Sequence, residues 1–129
     1  ICDFRLIQFR DRYADFPKGH LLLEDFFQDE IRFDLIFDLT FFCYLVPTDE
    51  NRYRYVNQMA SLLKPNGKLV GVWFDIALTR GQEKRPFGGD KKLYLSYLDS
   101  YFETITFEPC YNSIPPRMGN ELFGIFRKK

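Results

Sequence analysis

The chain has 129 residues, and its eighteen Lys and Arg balance eighteen Asp and Glu, so the net charge is zero. That argues against a dedicated nucleic-acid binder, which carries a basic excess. Hydrophobic residues make up 46% and charged residues 28%, a globular balance that excludes a disordered chain; no apolar run reaches the roughly 20 residues that span a bilayer, so no membrane partner is expected.

Residues 4–16 mix apolar and charged positions and admit two readings. One is a helix carrying Phe9, Tyr13 and Phe16 and stopped by Pro17-Lys18-Gly19; the other is a short strand from Phe4 to Phe9. His20 to Glu24 and Phe33 to Asp38 are short continuous apolar runs, the pattern of parallel strands covered on both faces. Pro47 and Thr48 introduce a helix through about Leu63, with Tyr53, Val56, Met59, Ala60 and Leu63 at helical spacing. Asp49 and Glu50 fall in its first turn, where the helix dipole favours them, and Pro65-Asn66-Gly67 ends it.

Leu69 to Ile76 is the strongest strand in the chain. Gly81, Pro86, Gly88 and Gly89 mark the following stretch as a loop, after which Asp90 caps a short helix with Leu93, Tyr97, Leu98 and Tyr101 on one face. Two last strands, Glu103 to Glu108 and Leu122 to Arg127, flank Pro115-Pro116 and Gly119 and form an antiparallel hairpin. The order strand, strand, helix, strand, helix, strand, strand defines an α/β sheet with an antiparallel edge.

Fifteen Phe, eight Tyr and one Trp give 19% aromatic residues, which raises the question of whether part of their burial surface lies outside these residues. Cys2, Cys43 and Cys110 form no CxxC pair and no disulfide framework, which fits a reducing, cytoplasmic setting. Cys43, inside Phe41-Phe42-Cys43-Tyr44-Leu45, reads as a small buried thiol. His20 is the lone histidine; with no neighbouring ligand it argues against zinc, and without a GxSxG elbow it argues against a hydrolase.

Ligands of open α/β sheets bind at the carboxyl ends of the strands. Two places stand out there: Glu24-Asp25-Phe26-Phe27 after the first strand, and Asp38-Leu39-Thr40-Phe41-Phe42 after the second. Each has a plainer reading, since an Asp after a strand also forms turns and caps and a Phe pair also fills a core. Leu63-Lys64-Pro65-Asn66-Gly67-Lys68 reads as a turn more than a site.

These segments, with Leu62 to Gly67, Arg85-Pro86-Phe87 and Ile114 to Glu121, resemble a class I S-adenosylmethionine-dependent methyltransferase, and within that class the thiopurine methyltransferase-like group that includes thiol and halide methyltransferases. The match runs from about residue 20 to the end and is most specific from Phe33 to Cys43. The resemblance implies a Rossmann-like, mostly parallel α/β sheet with a C-terminal antiparallel hairpin, and S-adenosylmethionine as cofactor. It places Asp25 over the adenine, accepting its exocyclic amine, with the backbone of Phe26 at the ring edge. It places Asp38, Leu39, Thr40 and Phe41 near the methionine end and the transfer site, and Pro86 and Phe87 in a loop closing over a small thiol-like or halide acceptor. Two positions depart from the pattern: Leu39 stands where many members have Tyr, and Arg85-Pro86-Phe87 where Gly-Pro-Pro-aromatic is usual.

The family's Gly-rich cofactor loop does not precede His20; Gly19 is the first glycine. Only the eight residues Asp25–Arg32 join the two apolar runs, short for a parallel crossover. The resemblance therefore implies that residues 1–129 are the C-terminal part of a single methyltransferase-like domain whose N-terminal strands are missing, a piece that by itself binds cofactor weakly or not at all. Exposed sheet edges would then favour self-association. The competing reading is a non-catalytic α/β interaction domain that keeps the fold without the site.

Overall fold

The computed structural model describes residues 3–20, 26–28, 30–78 and 85–129. The chain divides into two compact units, Ile1–Glu30 and Ile31–Lys129. In the first, the helical reading of the opening segment holds: α1 spans Asp3–Arg12. The aromatic spacing explains it, because the Phe9 ring meets Tyr13 at 4.8 Å and Phe16 at 5.2 Å, contacts that one turn of helix and its exit bring about. Of the strand expected at His20–Glu24, His20 lies in the 3-10 turn Lys18–His20, and residues 21–24 fall outside the described residues.

The second unit carries β1 (Phe33–Leu39), α2 (Asp49–Leu62), β2 (Leu63–Phe74), α3 (Lys91–Leu98), β3 (Phe102–Pro109) and β4 (Glu121–Lys128). They build a four-stranded sheet of order β1-β2-β4-β3. β1 and β2 run parallel, whereas β4 is antiparallel to both β2 and β3, so the sheet is mixed where a mostly parallel one was expected. The expected antiparallel relation of the last two strands holds, with the 3-10 turn Pro115–Arg117 in the connection.

β1 departs from its expected burial. The run reads as a strand covered on both faces, yet among the described residues β1 is an edge strand, and Phe33, Leu35, Phe37 and Leu39 are all exposed. Alternation puts these four on one face, and that face lacks a covering layer in the described residues.

α2 starts where expected: the Thr48 hydroxyl accepts the Asn51 N–H at 3.2 Å. Its inward stripe is Arg52, Tyr55, Val56, Met59, Ala60 and Leu62; Tyr53, expected there, is exposed and packs its ring on Tyr97 at 4.9 Å. β2 follows without a break, so Pro65-Asn66-Gly67 does not end the helix but lies within the strand. The turn chemistry is still used there. Asn66 takes a left-handed φ of 63°, and the register jumps from Phe33↔Leu63 to Leu35↔Lys68, so residues 64–67 bulge out of the ladder.

At the sheet's centre Gly71 of β2 faces Gly124 of β4. An ideal Cβ on either would lie 3.0 Å from the Trp73 ring, so the absent side chains make room for the indole. Trp73 is fully buried and edge-on to Phe107 (5.6 Å) and Phe126 (5.4 Å), which meet each other at 5.1 Å. This cluster buries three of the chain's aromatic side chains. α3 is capped by Asp90, whose carboxylate accepts the Leu93 N–H at 2.7 Å, and it buries Tyr94, Tyr97 and Leu98. Tyr101, expected on that face, lies past the helix end and is exposed.

Candidate functional site

β1 and β2 point the same way, so their carboxyl ends share one edge of the sheet. β1 ends at Leu39, and Thr40 then takes φ 75° and ψ 7° before the 3-10 turn Phe41–Tyr44. A left-handed conformation is rare for a β-branched residue and persists only where neighbours over-determine it. They do so here. The Asp38 carboxylate folds back over the turn, accepting the Phe41 N–H at 2.6 Å and the Phe42 N–H at 3.2 Å, and it also accepts the Tyr55 hydroxyl from α2. The Cys43 N–H closes the turn on the Thr40 carbonyl at 3.0 Å.

Asp38 is only 3% exposed, and burial raises its carboxyl above the ordinary value despite the three hydrogen bonds that favour the charged form. Burial and the Asp38 charge push the Tyr55 hydroxyl well up, so Tyr55 remains the donor of that pair. Cys43 lies beneath the turn, fully buried as expected. Its sulfur accepts the Phe74 N–H at 3.4 Å; since the Tyr94 hydroxyl donates to the Phe74 carbonyl at 2.5 Å, the thiol is the donor in its 3.5 Å contact with Tyr94. Burial raises the Cys43 thiol above its ordinary range, which suits an inert packing role.

The loop Arg85–Gly89 docks on this turn. The Phe87 N–H donates to the Cys43 carbonyl at 2.6 Å, and Arg85 Nε donates to the Tyr44 carbonyl at 2.8 Å. From α2, Arg52 Nη2 donates to the Gly88 carbonyl at 2.8 Å. Gly88 crosses Ile76 so closely that a Cβ would fall 2.2 Å from the Ile76 carbonyl oxygen, which is why the crossing needs glycine. Arg52 is fully buried and lies over the rings of Phe42 (4.9 Å), Tyr94 (5.7 Å) and Tyr97 (5.8 Å). Its Nε and Nη1 have no hydrogen-bond partner among the described residues.

The loop holding Pro86 and Phe87 thus docks on Cys43 and Tyr44, the residues that follow Asp38, Leu39, Thr40 and Phe41 in the chain; no hydrogen bond or ring contact of Pro86 or Phe87 with those four is seen among the described residues. Their exposures differ. Leu39 is 76% exposed, Phe41 is exposed, Thr40 and Pro86 are half-buried, and Phe87 is buried with its ring 5.7 Å from the Arg85 guanidinium. Phe26 belongs to the first unit, half-buried in the turn Phe26–Gln28 with its ring edge-on to Phe27 at 4.9 Å. Asp25 lies outside the described residues.

Three residues of this region escaped the sequence reading. Arg52 and Tyr55 sit on the buried stripe of α2, and nothing in a helical pattern distinguishes a polar core residue from a solvated one. Asp75 directly follows β2, much as Asp38 lies at the carboxyl end of β1, and that place is the signal that would have found it. With Ile76, Leu78, Gly89, Asp90 and Leu93 it lines a cleft of about 200 Å³ at the carboxyl end of β2.

The four-stranded mixed α/β sheet has the fold of solved methyltransferases. The N-methyltransferase NodS from Bradyrhizobium japonicum superposes with a TM-score of 0.72 at 16% identity, over 98% of this chain and 69% of that one. Residues 5–127 match the thiopurine S-methyltransferase family, and the chain belongs to that family. It is 31% identical over 134 aligned positions to thiocyanate methyltransferase 1 of Arabidopsis thaliana, covering 99% of this chain and 57% of the relative. It is 34% identical over 114 positions to a probable thiol methyltransferase 2 of the same plant, covering 83% of this chain and 47% of that protein. The chain therefore spans about half the length of the relatives it matches.

Proposed function

We propose that this chain contributes the acceptor-facing, C-terminal part of one S-adenosylmethionine-dependent methyltransferase domain that acts on a small thiol-like or halide acceptor. The observation that carries the reading is the family match over residues 5–127. The relatives are named as thiocyanate and thiol methyltransferases, and NodS has been solved with S-adenosylhomocysteine bound.

The donor set at the β1 end fits such a cofactor. Asp38 turns its carboxylate inward onto the Phe41 and Phe42 amides, so the turn presents uncharged side chains, Leu39 and Phe41 exposed and Thr40 half-buried. When bound, S-adenosylmethionine supplies an electrophilic methyl group on a sulfonium sulfur. The protein's own contribution is position and exclusion of water. In this reading the backbone of Asp38 to Thr40 holds the methionine end, and Phe41, Pro86 and Phe87 shape the acceptor side. Asp25 accepts the adenine amine and the Phe26 backbone meets the ring edge. A thiolate or halide is already nucleophilic, and the turn needs no general base.

Among the described residues, no helix is long and apolar enough to cross a membrane. We assign the protein to the cytoplasm, where Cys43 and Cys110 persist as free thiols. The test is transfer of a labelled methyl group from S-adenosylmethionine to hydrogen sulfide, a small organic thiol and iodide by the complete protein. Labelled product from at least one acceptor is expected. No transfer to any of them would leave a non-catalytic binding domain as the better reading.

A further inference from the structure

Resting on that reading, we propose that Tyr55 is a positioning residue of the transfer site: its hydroxyl, acting through the Asp38 carboxylate, fixes the left-handed Thr40 turn that presents Leu39 to Phe41 to the cofactor.

The geometry leads there in three steps. First, Thr40 needs external support, because a β-branched residue at φ 75° is disfavoured by its own backbone. Second, that support comes from the Asp38 side chain, which spans the strained residue and accepts both the Phe41 and Phe42 amides. Third, among the described residues Asp38 is itself held from outside the turn by the Tyr55 hydroxyl of α2. Tyr55 is fully buried, and its ring meets Phe42 edge-on at 4.9 Å and Phe41 at 6.2 Å. Its hydroxyl is thus aimed at the carboxylate by packing that does not depend on the hydrogen bond. Among the described residues Cys43 also faces this pair, and it is engaged with Phe74 and Tyr94. Replacing the tyrosine by phenylalanine would keep the packing and leave the carboxylate free to swing or to take up a proton.

The experiment compares wild type and Tyr55→Phe in the complete protein, with Tyr97→Phe as a control that keeps its ring against Phe42 at 6.4 Å and loses a hydroxyl bonded to Asp49 instead of Asp38. Removing one hydrogen bond to a carboxylate is expected to lower kcat by about tenfold or more. The KM for S-adenosylmethionine should change less than about threefold, because in the proposed site the adenine end is held elsewhere. The acidic limb of the pH–rate profile should move up in Tyr55→Phe, since the lost bond favoured the charged carboxylate. Hydrogen exchange over residues 39–45 should accelerate in Tyr55→Phe and stay unchanged in Tyr97→Phe, a readout that needs no turnover. A structural role alone would lower the melting temperature in both variants and leave the acidic limb in place. Full activity in Tyr55→Phe, an unmoved limb or unchanged exchange over 39–45 would overturn this inference while the parent reading stands. A wild type without any methyl transfer would overturn both.

Discussion

Gly71→Ala is the sharpest mutational test of the packing that carries the site. The added Cβ would lie 2.4 Å from the Asp38 carbonyl oxygen and 3.0 and 3.1 Å from two Trp73 ring atoms. The first contact is with backbone, roughly 1 Å inside normal van der Waals separation. β1 cannot retreat easily, because it is registered to β2 on both sides, at Phe37↔Val70 and Leu39↔Val72. Overpacking of this kind costs about 1–3 kcal/mol, and the upper part of the range applies where backbone must move. Alanine also stiffens the unfolded chain, returning about 0.4–1 kcal/mol. The net expectation is a loss of about 2 kcal/mol, or roughly 4–8 °C in Tm for a chain of this size. Urea denaturation followed by Trp73 fluorescence would read it, with Gly19→Ala as control, since a Cβ there meets nothing within 4 Å. A Gly71→Ala midpoint indistinguishable from wild type would refute the packing of Trp73 over the glycine pair and the tight β1–β2 approach at Asp38.

Three further outcomes follow from the same geometry. Folding raises the Asp38 carboxyl above its ordinary 3.8, so the folded chain binds that proton more tightly than the unfolded one; between the two values stability falls as pH rises, and Asp38→Asn should remove that part of the slope in denaturation measured across acidic pH. Cys43, fully buried and with its thiol raised, should resist a thiol reagent in the folded chain and react only on unfolding, which mass spectrometry of labelled peptides would show. The 129-residue chain should self-associate through the exposed β1 face, and Phe37→Lys, at a side chain 67% exposed, should shift its sedimentation toward monomer; identical sedimentation of both forms would remove β1 from the interface.

Much of the second unit was legible because its signals are local. Thr48 and Asp90 cap the helices they were expected to cap, and the paired strands at the C-terminus flank the proline-rich connection. What failed depends on neighbours. Phe33 to Asp38 has the composition of a covered strand, but coverage is a property of the surrounding layer, and β1 is exposed along one face among the described residues. Pro65-Asn66-Gly67 carries turn chemistry, and the chain uses it as a bulge inside β2 because the strand must resume pairing with β1 at Lys68. At the site, the positions Asp38 to Phe41 were legible from their place after a strand. The Asp38 carboxylate folded onto its own turn is the plainer reading of an Asp after a strand, whereas its third partner, Tyr55, was not legible, because it lies seventeen residues away on the buried stripe of α2.

We propose that these residues build part of an S-adenosylmethionine site. Isothermal titration of S-adenosylhomocysteine into the complete protein tests it most directly. Micromolar binding is predicted, with little or none by residues 1–129 alone. The absence of binding heat from the complete protein would contradict the claim, and micromolar binding by the 129 residues alone would contradict the proposal that they supply only part of the site.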